Sequence, residues 1–83
     1  MKINYLTWIK KDLGKDTENI DLKSDILTVS DLLDHLEKID GTYKRIFSNR
    51  NVIFADIGGE IADGSESISD VKEISFFSPI VGG

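Results

Sequence analysis

Polar and apolar residues alternate from Lys2 to Trp8, the two-residue period of a strand. Ile3, Tyr5 and Thr7 share one face; Asn4, Leu6 and Trp8 share the other. Trp8-Ile9-Lys10-Lys11-Asp12-Leu13-Gly14 then reads as a helical turn closed by glycine. Glu18 to Leu22 is a second short strand, so the first third predicts an antiparallel hairpin with a long connection. The period changes at Val29. Val29, Leu32, Leu33, Leu36 and Ile39 form one stripe at helical spacing. Thr28 caps this helix, with Asp31 as a capping-box partner and Gly41 as its stop. Asp34 and Lys38 stand one turn apart in the favourable order.

Tyr43 to Phe47 adds a further helical turn. Val52 to Ile57 is apolar on both faces, as a buried strand is. Gly58-Gly59 is a two-residue hairpin signal, and Glu60-Ile61-Ala62 is the return arm. Ile74 to Phe77 is the last strand. Two strands, a helix and three further strands predict a two-layer α+β architecture, a mixed sheet packed on one main helix. The β-grasp arrangement of ubiquitin satisfies this order, with the first and last strands adjacent at the centre. Residues 1–77 make the domain, and 78–83 a flexible C-terminal tail.

The chain has 83 residues, enough for one small core and no large internal cavity. No apolar run approaches the length of a membrane span, and the N-terminus shows no signal-peptide pattern. Without cysteine there is no disulfide, thiol nucleophile or thiolate metal site, and the expected compartment is the cytoplasm. A net charge of −5 argues against nucleic acid as a partner. It suits a basic protein partner, or it simply keeps a small protein soluble.

Self-contained catalysis finds little support. The one histidine, His35, has no companions for a metal site or a nucleophilic relay. The acidic residues form no pair in an obvious pocket, and paired carboxylates need a cleft to split their pKa values. Gly58-Gly59 is no phosphate loop, because no lysine and helix follow at the required spacing. What stands out is the end. Two closing glycines arise by chance in roughly one chain in two hundred. Gly82-Gly83 follows the apolar strand directly after a short linker, Ser78-Pro79-Ile80-Val81. A bare main chain threads a narrow tunnel, and its carboxylate is sterically open. The α-carboxylate of Gly83 is therefore the expected working group. Alternation also turns Phe77 outward if Phe76 fills the core, and Leu6 and Trp8 outward if Ile3 and Tyr5 point in. Leu6 and Phe77 would then form an apolar patch at the root of the arm. The alternatives are that Phe77 packs under a loop or that Trp8 opens a covered turn.

Three segments carry a family resemblance: Ile3-Asn4-Tyr5-Leu6-Thr7-Trp8-Ile9-Lys10-Lys11-Asp12-Leu13-Gly14, the helix after Thr28-Val29-Ser30-Asp31-Leu32-Leu33, and Phe76-Phe77-Ser78-Pro79-Ile80-Val81-Gly82-Gly83. The chain resembles the small subunit of molybdopterin synthase, a ubiquitin-like sulfur carrier, over almost its whole length. Relatives commonly end in two phenylalanines, two prolines, two variable residues and two glycines. Here Ser78 replaces the first of those prolines, which predicts an arm less stiff at its root. The hairpin at Gly58-Gly59 lacks a common asparagine, and Asp70-Val71-Lys72-Glu73 replaces a tight glycine turn.

The resemblance implies that a partner adenylating enzyme uses ATP to activate Gly83, and that a sulfur donor protein converts it to a thiocarboxylate. Gly82 gives the tail slimness. Pro79, Ile80 and Val81 set its path, and Leu6 and Phe77 dock the body. The tail delivers sulfur inside the large subunit of molybdopterin synthase, to a cyclic pyranopterin precursor of the molybdenum cofactor. The catalytic residues belong to that large subunit, in an assembly of two small and two large chains. This chain itself binds no cofactor or metal. Other readings stay open: a sulfur carrier of another pathway such as thiamine synthesis, a protein modifier joined through Gly83 to lysines, or a binding module with an inert tail.

Overall fold

The computed structural model describes residues 1–80. In chain order the elements are β1 (Lys2–Tyr5), α1 (Thr7–Leu13), β2 (Thr17–Asn19), α2 (Val29–Glu37), α3 (Gly41–Phe47), β3 (Phe54–Ile57), β4 (Glu60–Ala62) and β5 (Glu73–Phe77). The five strands form one sheet in the order β2-β1-β5-β3-β4. The central pair, β1 and β5, is parallel, while β2, β3 and β4 join antiparallel. The first and last strands thus lie side by side, and the architecture is the β-grasp expected from the element order.

Local chemistry explains where the elements begin. At α2 the Thr28 hydroxyl accepts the Asp31 N–H at 3.1 Å, and the Asp31 carboxylate accepts the Thr28 and Leu27 N–H groups at 3.1 and 3.0 Å. This closed capping box satisfies backbone donors that a helix start leaves free. Val29, Leu32, Leu33 and Leu36 bury the stripe. Ile39 lies beyond the helix end and is exposed, which corrects its place in that stripe. Gly41 does not stop a helix but opens α3, because the Asp40 carboxylate accepts the Thr42 and Tyr43 N–H groups at 2.9 and 3.1 Å. Asp34 pairs with Arg50 at 2.7 Å and not with Lys38. Arg50 also bonds Glu37 and donates to the Phe47 carbonyl at 2.7 Å, tying α2 to the end of α3.

Strand ends differ from the alternation pattern. β1 stops at Tyr5, because Thr7 adopts φ 56° and turns the chain into α1. β2 covers Thr17–Asn19, although Ile20 still donates its N–H to the Met1 carbonyl at 2.9 Å. β3 begins at Phe54, since Val52 is held in a turn by the Asn49 carbonyl at 3.2 Å. At the β3–β4 turn Gly58 and Gly59 take φ 62° and 89°, the positive values a two-residue hairpin demands.

The inner face of the sheet presents Ile3, Tyr5, Ala55, Ile74 and Phe76 to the helices. Three helices cover it, where the pattern predicted one main helix with small additions. α2 gives the apolar stripe, α1 gives Ile9, and α3 gives Tyr43, Ile46 and Phe47. Phe47 is the hub, with the rings of Tyr5, Tyr43 and Phe76 at 6.1, 6.3 and 5.5 Å. Such pairs add about 0.5–1.5 kcal/mol each beyond the area they bury. Glu18 sits on this inner face at the β2 edge, where a lone charge would be costly. Its Oε1 accepts the hydroxyls of both Tyr5 and Tyr43 at 2.8 Å, and Lys15 lies 3.5 Å from its Oε2. Burial first, and then the Glu18 carboxylate, hold the Tyr5 phenol far above the ordinary tyrosine range.

Candidate functional site

The candidate site is the corner where β5 ends, and the register of the sheet builds it. Tyr5 pairs with Phe76 across the parallel β1–β5 ladder, so Leu6 comes beside Phe77, and the Leu6 N–H donates to the Phe76 carbonyl at 2.9 Å. Phe54 pairs with Phe77 on the other side, and the two rings meet edge to face at 5.7 Å. Leu6, Phe77 and Phe54 therefore make one row across the outer face of the sheet. Exposed Ile61, opposite Asp56, lies diagonally beyond Phe54. The next rows are polar: Asn4, Ser75 and Asp56, then Lys2 and Glu73. The outer face is thus apolar mainly where the chain leaves the sheet, the arrangement of a contact patch.

Leu6 is 44% exposed and Phe77 half-buried, so the sequence-predicted pair does come together and does face outward. Trp8 does not join them on a strand. It sits in the first turn of α1, half-buried against the core. The expectation of an outward Trp8 on β1 fails because the chain turns at Thr7. Pro79 and Ile80 are exposed and follow directly from the patch. Val81, Gly82 and Gly83 lie outside the described residues, so their predicted roles are not placed.

Reasoning from the sequence missed the residues that fasten this corner. The Ser78 N–H donates to the Thr7 hydroxyl at 3.1 Å, and Thr7 in turn donates to the Leu6 carbonyl at 2.7 Å. The Trp8 indole N–H donates to the Ile80 carbonyl at 2.7 Å. Ser78 is only 3% exposed. Its hydroxyl also accepts the Ile80 N–H in a long 3.3 Å bond. A proline at 78 has no N–H to give. The serine therefore supplies an anchor at the root that a proline could not. That serine-for-proline substitution was the signal available in the sequence.

Elsewhere, a groove of about 430 Å³ lies between α2 and the β3–β4 hairpin, lined by Val29, Leu33, Ile53, Ala55, Phe76 and Arg50 among others. Phe54 and Ile61, at the β3–β4 end of the apolar row, also border it. Its one cation, Arg50, is already engaged by Asp34 and Glu37. Among the described residues no cluster of His, Asp or Glu could hold a metal ion, and no helix is long and apolar enough to cross a membrane.

With this geometry in place, the chain is defined as a ubiquitin-like β-grasp protein whose distinctive surface surrounds the root of its C-terminal arm. One solved structure supports the fold. SAMP1 from Haloferax volcanii superposes with a TM-score of 0.74 at 25% identity, covering 99% of this chain and 97% of that one. A second Haloferax volcanii protein gives 0.43 at 26% identity over 100% of both chains. No curated protein matches the chain. The model of the ThiS family matches residues 3–83. The chain belongs to the ThiS family, the ubiquitin-like sulfur carriers.

Proposed function

We propose that this protein is the sulfur-carrying small subunit of molybdopterin synthase. One observation supports the reading: the family match runs through Gly83, on a fold whose arm leaves the body beside an apolar row on the outer face of the sheet. The paired phenylalanines and Pro79 favour the molybdopterin branch over a thiamine-type carrier.

A carboxylate is a poor acyl donor, because its charge is delocalised and oxide is a bad leaving group. On the partner adenylating enzyme, the Gly83 carboxylate attacks the α-phosphorus of ATP and releases pyrophosphate. Hydrosulfide supplied by a donor protein then attacks the acyl carbon; the C–S bond forms as the C–O bond to AMP breaks, and loss of the remaining proton leaves a thiocarboxylate. In the large subunit this sulfur passes to the cyclic pyranopterin precursor. The patch of Leu6, Phe77 and Phe54 docks the body, while Pro79, Ile80 and Val81 lead Gly82 and Gly83 into the partner. Holding the sulfur on a tethered arm turns delivery into a near-intramolecular event.

Intact mass of protein from its native cell tests this. One oxygen replaced by sulfur at the C-terminus is the expected result. Lysine-linked adducts would instead identify a protein modifier built on the same fold. Removing Gly82-Gly83 should abolish sulfur transfer with little change in thermal stability. A truncated protein that still supports molybdopterin synthesis would falsify the assignment.

A further inference from the structure

We propose that Thr7 and Trp8 form a clasp that aims the C-terminal arm, which makes Trp8 a positioning residue for the chemistry at its end. The functional half of this inference rests on the proposed sulfur-carrier role. Two bonds of good length cross from consecutive residues of the α1 start to the arm: Ser78 N–H to Thr7 at 3.1 Å and Trp8 indole N–H to the Ile80 carbonyl at 2.7 Å. They fix both ends of the segment from Ser78 to Ile80. Thr7 holds φ 56°, a left-handed conformation that is costly for a β-branched residue. That backbone is what turns its hydroxyl and the next indole toward the arm. Local strain kept in place by bonds to a working segment is a mark of a functional corner.

Covalent geometry gives the consequence. Beyond a clasped Ile80 carbonyl three residues remain, a reach of about 10 Å; an arm free from residue 78 would reach about 20 Å. Halving the free length raises the effective concentration of the carboxylate at a fixed point about threefold. The clasp therefore narrows the search of the Gly83 carboxylate without touching the reaction itself.

The test uses the full chain and Trp8→Phe, which keeps an aromatic ring and loses the donor. Backbone amide relaxation reports the order of Ile80, and indole hydrogen exchange in the unmutated protein reports the bond directly. The expected result is a protected indole N–H, a loosened Ile80 in the variant, and an apparent KM for the adenylating enzyme raised about threefold with the maximal rate unchanged. An indole that exchanges as fast as free tryptophan, or equal order at Ile80 in both proteins, overturns the clasp. A loosened arm with unchanged or lower KM overturns the positioning role. If the parent is never adenylated, the sulfur-carrier reading fails, and relaxation and exchange still decide the clasp.

Discussion

Phe76 and Phe77 are identical side chains on consecutive residues, and the pleat sends them to opposite faces. Truncating each to alanine separates folding from docking. Phe76 is fully buried, edge-on to Phe47 at 5.5 Å. Phe76→Ala leaves a cavity under three helices and should cost about 3–5 kcal/mol. A domain of this kind has only about 5–15 kcal/mol to lose. Phe77 is half-buried on the outer face, and its main partner is Phe54 at 5.7 Å. Phe77→Ala opens a notch that water fills, so no cavity is created. It forfeits the aromatic pair and about half of a full burial, about 1–3 kcal/mol together. Binding should show the reverse order. An aromatic anchor at the centre of an interface is worth about 2 kcal/mol or more, a loss of about thirty-fold in affinity. Urea unfolding followed by circular dichroism measures the first quantity. Calorimetric titration with the adenylating enzyme, or with the large subunit, measures the second. If Phe77→Ala destabilises as much as Phe76→Ala, the assignment of faces is wrong. If Phe77→Ala folds well and binds both partners like the parent, the patch is not the docking surface.

The Tyr5 phenol, raised by burial and by Glu18, links stability to alkaline pH. Its neutral form is favoured by the fold, so its contribution is complete below about pH 10, the unfolded tyrosine value, and is lost as pH rises above that. The parent should therefore lose stability more steeply than Tyr5→Phe between about pH 10 and 11, as read from urea midpoints at each pH; parallel profiles would refute the link. Asp31 has the opposite sign. The Leu27 N–H first, and then the Thr28 bonds, hold its carboxyl below the ordinary range against the opposing effect of desolvation. Its contribution is complete above about pH 4 and falls away as the pH drops through the lowered value. Asp31→Asn should melt at lower temperature than the parent at neutral pH, and the gap should close in acid; a gap independent of pH would refute the carboxylate's role at the cap.

Much was legible in one dimension because it depends on neighbours along the chain. The α2 start at Thr28 and Asp31, the β3–β4 turn at Gly58-Gly59 and the β4 range follow from capping and turn geometry, which involve only a few consecutive residues. The outward pair Leu6 and Phe77 followed from alternation together with an assumed pairing of the first and last strands. Gly41 was misread because two local signals competed there, a glycine that closes helices and an aspartate before it that opens them. Only the capping bonds of Asp40 decide between them.

The order of patterns along the chain determined a two-layer α+β class that the β-grasp satisfies, the face each strand residue takes and the prominence of a glycine-ended arm, since periodicity and turn chemistry are local properties; the adjacency of the first and last strands was decided in three dimensions. Tertiary structure alone decided that Phe54 completes the apolar row, that Tyr5 and Tyr43 share Glu18, and that Thr7 and Trp8 hold Ser78 and Ile80. Each of these unites residues far apart in sequence, and such contacts exist only once the β1–β2, β1–β5 and β3–β5 ladders have set their registers.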